Sequence, residues 1–350
     1  MSYQYTPLSG GIDYVQVDEP APDENASWAE ILTVIDGSQA TGANEKWSHE
    51  LHSDRVYSVS VGDGVVYSAS ADATVKAVDA SDGTEIWSHS LHSAGDSVRS
   101  LFERDGVVYS GSNDETVKAA DASDGSELWS HSLHSGSVRS LFERDGVVYS
   151  GANDNTVKAV DASDQTEIWS HSLHSSAVTS LFERDGVVYS ASADDTVKAV
   201  DASDQTEIWS HSLHSATVWS VSVGDGVVYS ASADATVKAV DASDGTEIWS
   251  HSLHSSSIYS VFERDGVVYS GSADDTVKAA DASDGTEIWS HSLHGNNVYS
   301  VFERDGVVYS GSNDDTVKAA ELVDENGDPL EEEPESWQFY FSDGEGWYKA

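Results

Sequence analysis

Fourteen histidines fall in seven His-x-x-His pairs, among them His89/His92 and His251/His254. On a helix, residues three apart converge and could grip zinc, whereas on a strand an odd offset sends them to opposite faces. The flanking residues alternate with strand period, so the pairs read as structural. The second His of each is a partner for nearby Ser and Asp, and the first is a packed or rim residue beside a Trp. Asp79-x-x-Asp82-Gly83-x-Glu85 gathers oxygens that a hard cation would want, but it lacks the alternating acid spacing of a calcium loop and supplies what a tight turn needs. The chain has no cysteine, which excludes disulfides, thiolate chemistry and Cys-based zinc sites. Nearly the same groups recur seven times, and no unique set stands apart as a catalytic centre. The expectation is therefore no enzyme, no metal and no cofactor.

The elements that carry these residues are repeated. DGVVYS occurs with its Gly at 64, 106, 146, 186, 226, 266 and 306. The spacing is 40 except for one step of 42, where Ala94 to Ser97 carries two extra residues. Residues 58 to 93 recur unchanged as 220 to 255, so differences among copies show what has since been allowed to change. Each unit holds four short period-2 segments bounded by Gly/Asp turns. In the fourth copy they are strand a, Val178 to Phe182; b, Val187 to Ser192; c, Thr196 to Val200; and d, Glu207 to Leu213. Four strands per unit repeated around an axis make a β-propeller. Seven a–b–c sets are present but only six d strands follow one, and an orphan d strand precedes the array. Pairing Glu45 to Leu51 with Thr316 to Ala320 completes seven four-stranded antiparallel blades and removes from solvent the two sheet edges left at the ends of the array. The alternative has eight blades, with Ile31 to Ile35 as a c strand beside Trp337 to Phe341 and Trp347-Tyr348. The division is an N-terminal extension over 1–44, the propeller over 45–322, and an acidic, aromatic C-terminal extension over 323–350.

Apart from two units that use Val-Gly-Asp-Gly where five use Glu-Arg-Asp-Gly, variation collects in two places: the d–a connection with the second residue of strand a, and the b–c turn, whose residues join the rim of the binding face. The strand-a position reads Tyr57, Arg99, Arg139, Thr179, Trp219, Tyr259 and Tyr299. In a four-stranded meander both variable places lie at one end of the blade, so one face of the disc is diversified and the other homogenised. Tyr, Trp and Arg dominate binding hot spots. These seven residues, with Asn296 and Asn297 on the rim, are the candidate binding face. Drift alone would not spare the exposed c–d turns.

Ala77-Val78-Asp79-Ala80-Ser81-Asp82-Gly83-Thr84-Glu85-Ile86-Trp87 resembles the Ala-x-Asp-x-x-x-Gly-x-x-x-Trp motif of the pyrroloquinoline-quinone (PQQ) type propeller repeat. That resemblance implies that Trp87, Trp129, Trp169, Trp209, Trp249 and Trp289, with Trp47 of the orphan strand, pack between neighbouring blades against the Gly turn. Two copies carry Gln165 and Gln205 in the Gly position. Leu133-His134-Ser135, Ser150-Gly151 and Asp154 before Thr156-Val157-Lys158 are similar to the His…Ser…Asp framework of WD-repeat propellers, with Ala159 where that family has its strand-c Trp. The blades lack the long insertions and adjacent cysteines of quinone dehydrogenases, which leaves a quinoprotein-like enzyme a remote alternative.

Sixty-two Asp and Glu face seventeen Lys and Arg, a formal charge of −45. Such self-repulsion calls for screening salt, and acid-rich, lysine-poor chains resemble proteins of halophilic archaea and their viruses. The balance excludes a sequence-independent grip on nucleic acid and disfavours anionic membranes, and no apolar run of eighteen residues suggests membrane insertion. Both ends follow a Pro/acidic, Ser-Trp, Asp-Gly, Trp order that resembles aromatic hairpins of tailed-virus surface proteins. The resulting expectation is a non-enzymatic recognition module on a virion surface, or extracellular in a hypersaline environment. It would bind a host-surface protein or glycan through one face, with the extensions meeting other virion proteins. The alternative is a WD-repeat-like scaffold for protein–protein interaction in the cytoplasm of a halophilic archaeon.

Overall fold

The computed structural model describes residues 40–330 together with 340–342 and 347–349. Strand b, with its Val-Val-Tyr-Ser run, is buried on both faces because each blade is sandwiched between two others. A two-residue turn joins it to strand a. In the first blade Asp63 and Gly64 both take left-handed backbone, φ 47° and 75°, the geometry that keeps a hairpin in register with strand twist. The same pair recurs in every a–b turn, as Asp105-Gly106 shows at φ 50° and 79°.

Seven four-stranded antiparallel sheets result. Strands a to d of the first blade are Val56–Gly62, Val65–Ser70, Val75–Asp79 and Glu85–His89. In the seventh, Val298–Arg304, Val307–Ser312 and Val317–Val323 are completed by Gly42–His49 from the other end of the chain. Its register sets Glu45 opposite Ala320 and His49 opposite Val317. This blade runs past the limits read from the sequence, because Glu321-Leu322-Val323 replaces the Asp-Ala-Ser-Asp that turns strand c in the other units. Gly42 then pairs with Val323, and Ala40, Leu322 and Leu330 join the core. Seven blades stand in place of the eight-bladed alternative. Tyr340–Ser342 and Trp347–Lys349 pair in a separate two-stranded sheet with no third strand among the described residues; Ile31 to Ile35 lies outside the described residues.

Other bounds differ from the sequence reading for local reasons. Strand a of the fourth blade runs on to Arg184, which pairs with Val187 across the tight turn. Strand d stops at His211, because Leu213 and His214 turn inward.

The core lies between blades. Tyr67, Ala69, Val75, Ala77 and Trp87 of the first blade pack on Val98, Leu101 and Val108 of the second. A ring of serines stitches the inner strands together. Val59 N–H donates to Ser300 Oγ at 3.1 Å, Leu101 N–H to Ser58 Oγ at 3.2 Å and Leu141 N–H to Ser100 Oγ at 2.9 Å. Leu181, Val221, Val261 and Val301 do the same with Ser140, Ser180, Ser220 and Ser260. Each innermost strand would otherwise leave these amide donors unpaired on its channel side.

Candidate functional site

Two ends of the disc are defined by hydrogen bonds between connections. Ala71 N–H donates to Arg55 O and Asn313 N–H to Asn297 O, which ties b–c turns to d–a connections. Ala80 N–H donates to Gly64 O and Ala122 N–H to Gly106 O, which ties c–d turns to a–b turns at the other end.

At the first end the second His of each pair anchors the connections. His52 is buried, with Nε2 2.8 Å from Ser68 Oγ and Nδ1 2.9 Å from Thr74 Oγ1 and 3.2 Å from Asp72 Oδ2. Thr74 N–H and hydroxyl both donate to Asp72 Oδ1, and Ser53 N–H donates to Oδ2. The other six copies repeat this, as His214 with Ser230, Asp234 and Thr236 shows. Burial opposes ionisation of these aspartates, but the donors around each outweigh it and hold Asp194 and Asp234 down at about 2. Burial also lowers His134, His174, His214 and His254, outweighing attraction to the paired aspartate, since the rings are wholly excluded from solvent. These four imidazoles are thus neutral hydrogen-bonded struts. The first His instead lies against the outer Trp, as His49 does with ring centroids 5.6 Å from Trp47. The Asp79 and Asp82 carboxylates cap their own turn, accepting from Ser81 N–H and Thr84 N–H at 2.8 Å. Among the described residues no group of three or more His, Cys, Asp or Glu is arranged to hold a metal ion.

The seven variable residues converge on the axis at this end, all half-buried. Trp219, Tyr259, Tyr299 and Tyr57 form a continuous aromatic arc, with successive centroids 5.9, 4.8 and 5.3 Å apart. The Arg99 guanidinium lies 4.2 Å over the Tyr57 ring and extends the arc. Arg139 follows in the next blade, and burial together with the like charge of Arg99 pushes its pKa down. Thr179 completes the ring by donating to Val218 O. Trp219 Nε1 is a buried donor with no acceptor among the described residues. Asn296 accepts from Asn297 N–H and belongs to the rim. Asn113 and Asn153 of the variable b–c turns, read from the sequence as rim residues, reach inward here, and their Oδ1 atoms accept from Arg99 Nε and Arg139 Nε at 2.9 Å. The signal was present in these two b–c turns, which carry Asn where four others carry Ala.

The opposite end is built differently. Arg104 Nε lies 3.5 Å from Glu143, Arg144 Nε 3.4 Å from Glu183, and Arg264 Nε 3.5 Å from Glu303, each across a blade junction. Burial raises Glu303 to about 7. Phe102, Phe142 and Phe182 stack around the channel with centroids 4.7 and 4.6 Å apart. Ser60 and Ser222 interrupt this ring, and at the first gap a recess of about 280 Å³ is lined by Ser60, Asp63, Phe102, Glu103, Phe302 and Arg304. Its charges are used to close blade junctions. Where Gly62 stands in place of an Arg, the Glu103 carboxylate fills the space, 1.5 Å from where a Cβ would sit.

On the outside, Trp47 Nε1 donates to Ala80 O at 3.0 Å, Trp87 Nε1 to Ala122 O at 2.9 Å, and Trp169, Trp209 and Trp249 do the same one blade on. Trp129 and Trp289 take equivalent places, with centroids 6.0 Å from Tyr109 and 6.2 Å from Tyr269. A Cβ at Gly83 would lie 2.3 Å from His49 Cδ2 and 3.1 Å from Trp47 Cδ2, so the turn must pass close beneath the ring. A family model described as outer membrane protein assembly factor BamB, of the PQQ-type repeat, matches residues 32–141, 113–233, 153–257 and 233–330. The chain belongs to that family.

This PQQ-type propeller is similar to the solved WD40 β-propeller domain of Doa1, at 25% identity and a TM-score of 0.72 over 80% of this chain and 97% of that one. It is also similar to the computationally designed Ika8 protein, at 27% identity and a TM-score of 0.66 over 80% of this chain and 100% of that one. No curated protein sequence matches it. The Trp–Gly docking between blades is of the PQQ type and the His–Ser–Asp struts are of the WD type.

Proposed function

We propose that this propeller is a non-enzymatic protein-interaction scaffold that binds its partner at the axial mouth lined by Tyr57, Arg99, Arg139, Trp219, Tyr259 and Tyr299. One observation carries the reading: a position at which near-identical blades differ is also where the side chains meet in a single aromatic and cationic surface. The matching family's description as an assembly factor and the likeness to a WD40 domain support a protein partner over a small substrate.

The test is selection from a random peptide display library on the immobilised propeller. Selected peptides should bind W219A/Y259A more weakly by about 2 kcal/mol or more, the loss of a hot-spot pair, and bind R104S/R144S unchanged. Recovery of no peptides, or loss of binding on the second variant alone, would place recognition elsewhere.

The charge of −45 supports a narrower second reading, in which the scaffold works in strong salt, on a virion or in a hypersaline environment. Partner, location and the roles of the extensions then follow from that setting.

A further inference from the structure

In a chain with sixty-two carboxylates and seventeen Lys and Arg, nearly every cation should find a carboxylate neighbour. Eight lysines do, from Lys46 with Glu321 to Lys318 with Glu45, and so do Arg55, Arg104, Arg144, Arg184, Arg264 and Arg304. Among the described residues Arg99 and Arg139 are the two arginines with no carboxylate within 4 Å. They sit in adjacent blades at the mouth, half-buried, each steered through Nε by a neutral Asn, with one stacked on Tyr57. The third residue of the b–c turn is Asp195, Asp275 or Asp315 in three other blades but Asn155 beside Arg139, while Glu115 in the blade of Arg99 makes no ion pair with it. Two like charges side by side with their outer nitrogens uncommitted form a disposition that an incoming anion stabilises and an internal carboxylate would quench.

We infer that the mouth recognises an acidic peptide segment, its carboxylates paired with Arg99 and Arg139 and a neighbouring aromatic side chain laid on the Trp219–Tyr259–Tyr299 arc. The inference rests on the mouth being the binding face and adds the chemistry of the occupant. Charge complementarity selects the acid, and the arc beside it selects the ring. The net charge of the chain repels such a peptide at long range, but a few tenths molar salt screens that field while contact pairing persists.

The probe is acetyl-Glu-Glu-Trp-Glu-Glu-amide, measured by titration calorimetry in 0.3 M salt (a condition of roughly 6 Å screening length) against the full chain. The wild type should bind it. R99Q/R139Q should bind on the order of tenfold more weakly with an unchanged thermal midpoint, and the Gln-Gln-Trp-Gln-Gln peptide should bind wild type and variant alike, closing a double-mutant cycle. W219A should weaken both peptides. Absence of binding by the acidic peptide, or equal binding to R99Q/R139Q, overturns the inference, as does binding of an oligogalacturonate in its place. If display selection yields mouth-dependent peptides without acidic residues, the inference fails while the protein-binding reading stands.

Discussion

Gln165 and Gln205 stand where the other c–d turns have Gly, and both hold the left-handed backbone that glycine tolerates, φ 59° and 61°. Each carries a Cβ into the space where, in other blades, the neighbouring His reaches the turn. His49, His89 and His211 place Nε2 2.9 to 3.1 Å from the carbonyls of Asp82, Asp124 and Asp244. His131 and His171, which face the two glutamines, make no such bond and leave Nδ1 buried without a partner. Q165G/Q205G should therefore stabilise the propeller. Relief of left-handed strain contributes roughly 1–2 kcal/mol per site. The added freedom of glycine in the unfolded chain takes back about 0.4–1 kcal/mol, and a regained exposed hydrogen bond returns about 0.5 kcal/mol. The net is about 1 kcal/mol per site, and the sites add because they lie at separate junctions. A double variant should then melt about 4 °C higher, read by circular dichroism in fixed salt. The mirror variant G245Q should melt lower, because its Cβ would fall 2.3 Å from His211 Cδ2 and 3.0 Å from Trp209 Cδ2. A fall in midpoint for Q165G/Q205G, or no cost for G245Q, would refute the account of why these turns favour glycine.

Acid should weaken the fold well above the carboxylate range. His134, His174, His214 and His254 have lowered pKa values when folded, so the unfolded chain takes up protons first as pH drops through about 6.5. Each then removes up to about 1.4 kcal/mol per pH unit until its folded pKa is reached. The contribution of Asp194 and Asp234, held at about 2, is present above about 3.9 and is lost only as pH falls toward 2. Burial raises Glu103, Glu143, Glu183, Glu263 and Glu303, whose proton uptake in the fold acts the other way. The test therefore follows the imidazole resonances themselves by NMR in molar salt from pH 7.5 to 4.5. They should stay neutral below pH 6.5, and rings already charged at that pH would refute the account. Salt should act in the opposite sense at neutral pH, with the midpoint climbing strongly from dilute buffer to multimolar KCl as the −45 field is screened. A midpoint indifferent to salt would remove the second, strong-salt reading.

Repetition made much of this protein legible without coordinates. Period-2 alternation and Asp-Gly turns are local, so they survive in each copy and define four strands per unit. Counting the d strands identified the closing partner of Thr316 to Ala320, since an unpaired edge is costly wherever the array is cut. Comparing the copies located the variable end, because identical scaffolds expose whatever is free to differ. Tertiary structure decided how those variable residues are used. Strict alternation puts Tyr57 on the face of Val59 and Val61, which are core. A register shift between Val56 and Ser58 turns it out of the core to the channel mouth, and the same shift recurs at Val98/Ser100 for Arg99 and at Val138/Ser140 for Arg139. An extra residue on one strand is defined only against its partner, so no pattern within the strand reveals it. That Arg99 and Arg139 meet Asn113 and Asn153 and no carboxylate likewise depends on which turn crosses over which strand, a relation between segments fourteen residues apart that only the folded sheet creates.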